Sequence, residues 1–366
     1  MFANRGGEWY KKVMKIIHAA DLHLGSRLVS KFPAAITEQR RAEVRNAFKR
    51  LVDYAEQNDV AAILLAGDVF DSDRPFKKDK ELFYAVIAAH PQIQFYYLRG
   101  NHDVDTAADV AYDNLHCFGS QWQSYQLDGV VITGLEMNGH NATALYASLH
   151  LPNDAVNLVM LHGEVSDGVG NGKINLKKLA GKNIDYLALG HIHKPNSGRV
   201  DERGVYVYPG CLEGRGFDEM GEHGFVLLNI EPGKVHHEFV PFASRTIIEQ
   251  TVDITGCANA YAAYKRITEQ VPFARCDLYR INVTGEIDFD TEDLAQELRE
   301  YLVNTCYFVD VKDQTKRRVD LATYAKDLSL RGEFVRTVMA DTALSETDSQ
   351  RIIAYGLRAL SGERWQ

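Results

Sequence analysis

The chain has 366 residues, of which 45% are hydrophobic, 25% charged and 10% aromatic, and a formal net charge of −9. This is globular composition with enough chain for more than one domain, and it excludes collagen, a disulfide scaffold and an intrinsically disordered chain. No apolar run approaches the ~20 residues of a membrane-spanning helix, and the five scattered cysteines, without a C-x-x-C pair, point to the reducing cytoplasm.

Residues 1–13 have neither the apolar stretch nor the A-x-A site of a signal peptide, and read as a disordered extension ahead of the fold. Short apolar runs follow at 15–20, 61–66, 94–98, 130–135, 156–161, 186–189, 205–208 and 225–230, and predict strands. Between the first two, Val44, Phe48, Leu51, Val52 and Ala55 mark one buried face of a helix over 37–58. A second helix is predicted over 80–89. This alternation predicts a layered α/β core, and Glu231-Pro232-Gly233-Lys234 reads as a hairpin turn among the more closely spaced later strands. The character changes near Arg245. From there the pattern predicts strand (246–254), helix (258–270), strand (277–284), helix (291–303) and strand (307–312). Thr291 is the expected cap of the second of these helices, with Glu292 and Asp293 in its first turn. Beyond Lys316-Arg317-Arg318 the chain reads as mostly helical. The expected organisation is an extension (1–13), an α/β domain (14–245), a smaller α+β domain (246–315) and a helical tail (316–366).

Five short motifs each follow an apolar strand: Asp21-Leu22-His23, Gly67-Asp68-Val69-Phe70-Asp71, Gly100-Asn101-His102-Asp103, His162-Gly163-Glu164 and Gly190-His191-Ile192-His193. Open α/β sheets hold ligands just beyond the carboxyl ends of their strands. Loops meeting there can bring together Asp21, His23, Asp68, Asn101, His102, His162, His191 and His193. Oxygen and imidazole donors without a thiolate suit manganese, iron or zinc, not a sulfur-bound structural zinc. In Asp21-x-His23 and His191-x-His193 the side chains leave an extended segment on the same side, and can grip one ion or two neighbouring ones. Two ions ~3.5–4 Å apart suit in-line displacement at phosphorus. The glycines at 67, 100, 163 and 190 keep bulk away from that point.

In this order the motifs resemble the calcineurin-like metallophosphoesterase superfamily. Within it the chain is most similar to the SbcD-like DNA repair exonucleases of the bacterial YhaO type. Asp68-Val69-Phe70-Asp71-Ser72-Asp73-Arg74-Pro75 and Tyr208-Pro209-Gly210-Cys211-Leu212-Glu213-Gly214-Arg215 carry that narrower likeness. The resemblance implies a four-layer α/β/β/α sandwich with a smaller C-terminal α+β capping domain and a helical tail. It implies that Asp21, His23 and His193 hold one divalent ion, that Asn101, His162 and His191 hold another, and that Asp68 bridges them. His102 is then the acid or transition-state stabiliser beside the leaving group, and Asp103 orients it. The implied metal is manganese, with iron, zinc and magnesium as alternatives. The implied activity is 3′→5′ exonuclease action on DNA, with endonuclease action on single strands. The implied partners are a second copy of the chain and a coiled-coil ATPase of the SbcC or YhaN kind docked on the tail. Asp71 departs from the archaeal and eukaryotic pattern, which has His there, and Cys211 from the Ser often found after this glycine.

Other residues have plainer readings. His18 belongs to the core, and His90, His116, His140, His150, His223, His236 and His237 to the surface, although His223 is close enough in sequence to approach the site. Arg74, Lys77, Lys78 and Arg215 are candidates for phosphate contact, although a short charged run is usually a solvated loop, and Phe95-Tyr96-Tyr97 reads as a buried strand. The same centre also suits nucleotides, cyclic nucleotides or phosphoproteins, because loops, not fold, choose the substrate. The α/β segment after a complete phosphoesterase core favours DNA. A third reading makes the chain chiefly a partner-binding subunit, whose tail presents Leu328, Phe334, Val335, Val338 and Met339, unless that face packs on the cap. The charge divides into −4 over residues 1–245 and −5 beyond, so DNA affinity is expected to come from bound metals, dimerisation and a basic partner.

Overall fold

A computed structural model describes residues 13–28, 32–72, 75–103, 111–168, 170–289, 291, 293–317 and 321–360. All but the last residue of the expected N-terminal extension, and Asp73, Arg74 and Glu292, lie outside these residues. The chain divides into two compact units, Met1–Ile248 and Glu249–Gln366.

The first unit begins with β1 (Met14–Ala19), α1 (Ala34–Gln57), β2 (Val60–Ala66), α2 (Lys77–Ala89), β3 (Gln94–Leu98) and β4 (Leu115–Cys117). It continues with β5 (Gln123–Leu127), β6 (Val130–Gly134), α3 (Leu145–Ser148), β7 (Val156–His162), β8 (Glu164–Val165), β9 (Lys173–Ile174) and α4 (Leu176–Leu179). β10 (Tyr186–Gly190), β11 (Asn196–Arg199), β12 (Val205–Tyr208), β13 (Gly224–Glu231) and β14 (Lys234–Pro241) complete it. One six-stranded sheet runs β14-β13-β1-β2-β3-β4 and the other β11-β12-β10-β7-β6-β5. Neighbours are parallel from β1 to β4 and from β12 to β6. Antiparallel strands close both edges of the second sheet and one edge of the first.

Strand alternation sorts the core into layers. Ile17, Ala19, Ile63, Leu65, Phe95 and Tyr97 face α1 and α2, where Phe48, Leu51, Val52, Phe83 and Ile87 meet them. The intervening residues Ile16, Leu64, Tyr96 and Leu98 pack instead on Ile132, Leu158, Met160 and Tyr186 of the other sheet. Beyond that sheet, Val159, Leu161, Leu187 and Leu189 meet Leu145 and Tyr146 of α3 and Leu179 of α4. The result is the expected α/β/β/α sandwich. The predicted hairpin is present too: Glu231 pairs with Lys234 across Pro232 and Gly233, the latter at φ +74°.

In the second unit, β15 (Ile247–Asp253), β16 (Leu278–Thr284) and β18 (Phe308–Asp313) form a three-stranded sheet beside α5 (Ala260–Gln270) and α6 (Leu294–Leu302). A short pair, β17 (Glu286–Ile287) and β19 (Lys316–Arg317), accompanies it. The cap of α6 is Asp293, not Thr291: Asp293 accepts the Gln296 N–H at 2.9 Å, while Thr291 Oγ1 donates to Glu297. The helix starts where the buried stripe Leu294, Leu298 and Leu302 starts, and the capping residue is the one just before it.

The tail forms α7 (Leu321–Ala325), α8 (Leu330–Ala340) and α9 (Glu346–Leu360). Val335 and Val338 of α8 are buried with Ile353 and Leu357 of α9, and Phe334 packs against them. Leu328 and Met339 are exposed. The apolar face expected for this segment is therefore divided between a small core of the tail's own and the surface.

His18 is a core residue, as the sequence suggests: fully buried between the sheets, with Nδ1 2.8 Å from the Tyr186 hydroxyl. Burial pushes its pKa down to about 3, so the folded protein keeps it neutral while the unfolded chain protonates it below about 6.5. Folded-state stability from this group is present above that value and is lost as pH falls, by about 1.4 kcal/mol per pH unit. Urea unfolding between pH 7 and pH 4 is expected to show a steeper decline for the native chain than for His18→Gln; parallel curves would refute the assignment.

Candidate metal centre

All five motifs lie at the carboxyl ends of parallel strands: those after β1, β2 and β3 on one sheet, and those at the ends of β7 and β10 on the other. The backbone there is bent out of its ordinary range. Asp21 (φ +51°), His23 (φ +47°), Asp68 (φ +50°) and His191 (φ +99°) are non-glycine residues at positive φ, which costs of order 1–3 kcal/mol each and needs support from the surroundings. The first two loops supply it by running side by side. Asp21, His23 and Leu24 donate their N–H groups to Gly67, Asp68 and Val69 carbonyls. Asp103 is buried, and its carboxylate accepts the N–H groups of Val69, Phe70 and Gly100, tying the Asp68 loop to the Asn101 loop.

Two groups of donors result. In Asp21, His23 and His193, and likewise in Asp68, His162 and His191, one ligand atom from each residue lies within 4.8 Å of the others. Both Asp21 oxygens accept the His191 N–H at 3.0 Å, and Asp68 Oδ1 accepts the His102 N–H at 2.9 Å. Asn101 Oδ1 is 3.1 Å and Asp68 Oδ2 3.3 Å from His162 Nε2. The His102 side chain is exposed at the rim, its ring 5.4 Å from that of His23. The fold brings Asp21, His23 and His193 together, and Asp68, His162 and His191 together, with Asn101 against His162 and the Asp103 carboxylate on the backbone of the neighbouring loops.

The donor chemistry fits cations. His23 Nδ1 is 3.0 Å from Asp71, and His193 Nδ1 2.7 Å from Glu219. Arg215 Nη2 also lies 3.1 Å from His193 Nδ1, and the Nε2 atoms of His23 and His193 face each other across 3.1 Å. At the second group His162 Nδ1 donates to the Ala66 carbonyl at 2.9 Å, which turns its Nε2 toward two oxygen acceptors. Something positive belongs at that point, either a proton or a metal ion. Burial pushes the His162 imidazole down, but the Asp68 and Asp21 carboxylates outweigh it and raise its pKa to about 9. Burial likewise raises Asp21 to about 7 and lowers His23 to about 4. For Asp68, burial acts upward, yet the His162 and His102 hydrogen bonds hold it well below the carboxylate range.

Glycines keep this space open. A Cβ at Gly67 would lie 2.2 Å from His162 Nδ1, and one at Gly190 would lie 2.0 Å from the Ala66 carbonyl oxygen.

Sequence reasoning missed Glu219 altogether and placed His223 at the surface. His223 is buried, with Nδ1 3.2 Å from Cys211 Sγ and Nε2 donating to the Glu219 carbonyl. Its place follows from the chain doubling back under the metal loops, which no local pattern announces. His140, His150, His236 and His237 are exposed, while His90 and His116 are half-buried.

A family model described as calcineurin-like phosphoesterase matches residues 14–195. The chain is 29% identical over 276 residues to YhaO of Bacillus subtilis (strain 168), named an uncharacterized metallophosphoesterase, covering 70% of this chain and 67% of that protein. It is 25% identical over 263 residues to the DNA double-strand break repair protein Mre11 of Methanopyrus kandleri, covering 62% of this chain and 56% of that one. It is 36% identical over 94 residues to the SbcD component of the nuclease SbcCD of Rhodobacter capsulatus, covering 25% and 22%. The chain therefore spans about two thirds, about half and about a fifth of these relatives.

Gly100 gives the sharpest steric test. A Cβ there would lie 2.1 Å from Asp68 Oδ1 and 2.5 Å from the Asp68 nitrogen, although its φ is ordinary. Gly100→Ala is expected to displace Asp68, to cost about 1–3 kcal/mol of stability, and to lower the divalent metal bound at equilibrium. Denaturant titration and metal analysis after dialysis read both; unchanged metal content would contradict the geometry.

Proposed function

The chain carries a calcineurin-like metallophosphoesterase domain over residues 14–195, and on that premise we propose that it is a dimetal-dependent nuclease that hydrolyses phosphodiester bonds of DNA. The observation that carries the reading is the pair of donor groups, Asp21–His23–His193 and Asp68–His162–His191, built side by side from carboxylates and imidazoles. Oxygen and nitrogen donors without thiolate favour manganese, with iron, zinc and magnesium as alternatives. Two bound divalent ions supply Lewis acidity and a water activated at neutral pH.

The chain's own residues do the rest. Asp21, His23 and His193 would hold one ion, Asn101, His162 and His191 would hold the other, and Asp68 would serve both. His102 stands at the exposed rim with its backbone fixed on Asp68. From there it donates a proton to the departing sugar oxygen, or stabilises the charge that develops on it. Asp103 fixes the turn that carries His102 by gripping Gly100, Val69 and Phe70.

DNA as substrate is supported by the names of the Mre11 and SbcCD relatives, and by a further α/β unit following the sandwich. In this reading residues 246–315 act as a cap that shapes access to the centre. The 316–366 tail, whose Leu328 and Met339 are exposed, docks a coiled-coil ATPase partner, and the chain works as a homodimer in 3′→5′ resection during DNA repair. The free state of all five cysteines accords with the cytoplasm. No helix among the described residues is long and apolar enough to cross a membrane.

The test is a matrix of Mn²⁺, Mg²⁺, Zn²⁺ and Fe²⁺ against end-labelled DNA and bis-p-nitrophenyl phosphate. DNA cleavage strongest with Mn²⁺ is expected. His102→Ala should lower kcat by about 10²–10⁴-fold, and Asp68→Ala should abolish turnover. Efficient hydrolysis of the small diester with no cleavage of any DNA end, hairpin or single strand would replace the nuclease with a phosphodiesterase of small substrates.

A further inference from the structure

One donor group is buttressed differently from the other. Glu219 is buried, and its carboxylate meets His193 Nδ1 at 2.7 Å while also accepting the Arg215 backbone N–H at 2.7 Å and the guanidinium Nη2 at 2.7 Å. The same guanidinium reaches through Nη1 to Asp71 at 2.8 Å, and Asp71 meets His23 Nδ1 at 3.0 Å. A single arginine thus joins the two carboxylates that stand behind the two imidazoles of the Asp21–His23–His193 group, and its Nη2 also lies 3.1 Å from His193 Nδ1. At the other group, His162 is oriented by a neutral backbone carbonyl, that of Ala66. An imidazole that donates to a carboxylate is a more basic ligand and is locked in one ring orientation. Arg215 and Glu219 both lie beyond residues 14–195, the span that matches the family model.

Resting on the dimetal reading above, we propose that Glu219, held by Arg215, is a positioning residue that governs cation binding at the Asp21–His23–His193 group and leaves the Asp68–His162–His191 group unaffected. The segment after β12, which supplies Arg215 and Glu219, sets the occupancy of the first.

The experiment titrates Mn²⁺ into metal-stripped full-length protein by calorimetry, with electron paramagnetic resonance on the same samples and unfolding midpoints in EDTA. The native chain is expected to bind two ions and to show the spectrum of a coupled pair. Glu219→Gln, nearly isosteric but uncharged, should weaken one binding step by about ten-fold or more. It should leave the other step within about three-fold and convert the spectrum at sub-saturating metal to that of an isolated ion. Arg215→Lys, which keeps the charge but loses the planar fork, should do the same to a smaller extent. If the native chain binds two ions and Glu219→Gln keeps both affinities, the inference falls. It also falls if both steps weaken equally along with the midpoint in EDTA, which would make Glu219 a general structural support. A native chain that binds no pair of ions would instead overturn the dimetal reading itself.

Discussion

Electron-rich atoms forced together at one edge of a sandwich are the constraint on which the rest of this structure depends. Two carboxylates and four imidazoles converge where the strands of both sheets end. Bringing them together costs backbone strain at Asp21, His23, Asp68 and His191. It also demands empty space at Gly67, Gly100 and Gly190. Nearby features read as answers to that cost: the pairing of the first two loops, the Asp103 brace, and the carboxylates behind His23 and His193.

The two sheets are joined here by polar contact as well as by apolar packing. His162, at the end of β7, donates to the carbonyl of Ala66 at the end of β2. Asp21, after β1, receives the N–H of His191, just past β10. These bonds fix the separation of the sheets at the one end where a fraction of an ångström matters for holding cations, while the interior is left to side chains such as Tyr96, Met160 and Tyr186 that interdigitate by shape.

Much of this was legible in the sequence, because the relevant signals are local. A strand followed at once by Asp-x-His or Gly-Asn-His-Asp announces both the element and the side of the sheet on which its chemistry falls, and the heptad-like spacing of Val44, Phe48, Leu51 and Ala55 announces the helix above it. The polar edge strands β5 and β11 escaped, since an exposed strand needs no apolar pattern. Asp293 was seen but taken for a first-turn residue in place of the cap, a boundary error of the ordinary kind. Glu219 and His223 were illegible for a deeper reason. Their partners, His193 and Cys211, are distant in sequence, and a glutamate acquires its meaning only when the fold places an imidazole against it.

The order of strands has a consequence for how the protein is made. β13, among the last strands of the sandwich, lies beside β1, the first, with Met14 opposite Ile230. Until that late strand leaves the ribosome, the central strand of the sheet keeps an open edge, and the Arg215–Glu219 segment that supports half of the centre has only just been synthesised. Assembly of the sandwich is thus a closure over nearly the whole domain, slow by topology. A chain stopped between β10 and β13 would carry all the donor side chains from Asp21 to His193 beside a central strand whose edge is still unpaired. The donor set is thus complete along the chain before the sheet that carries half of it can close.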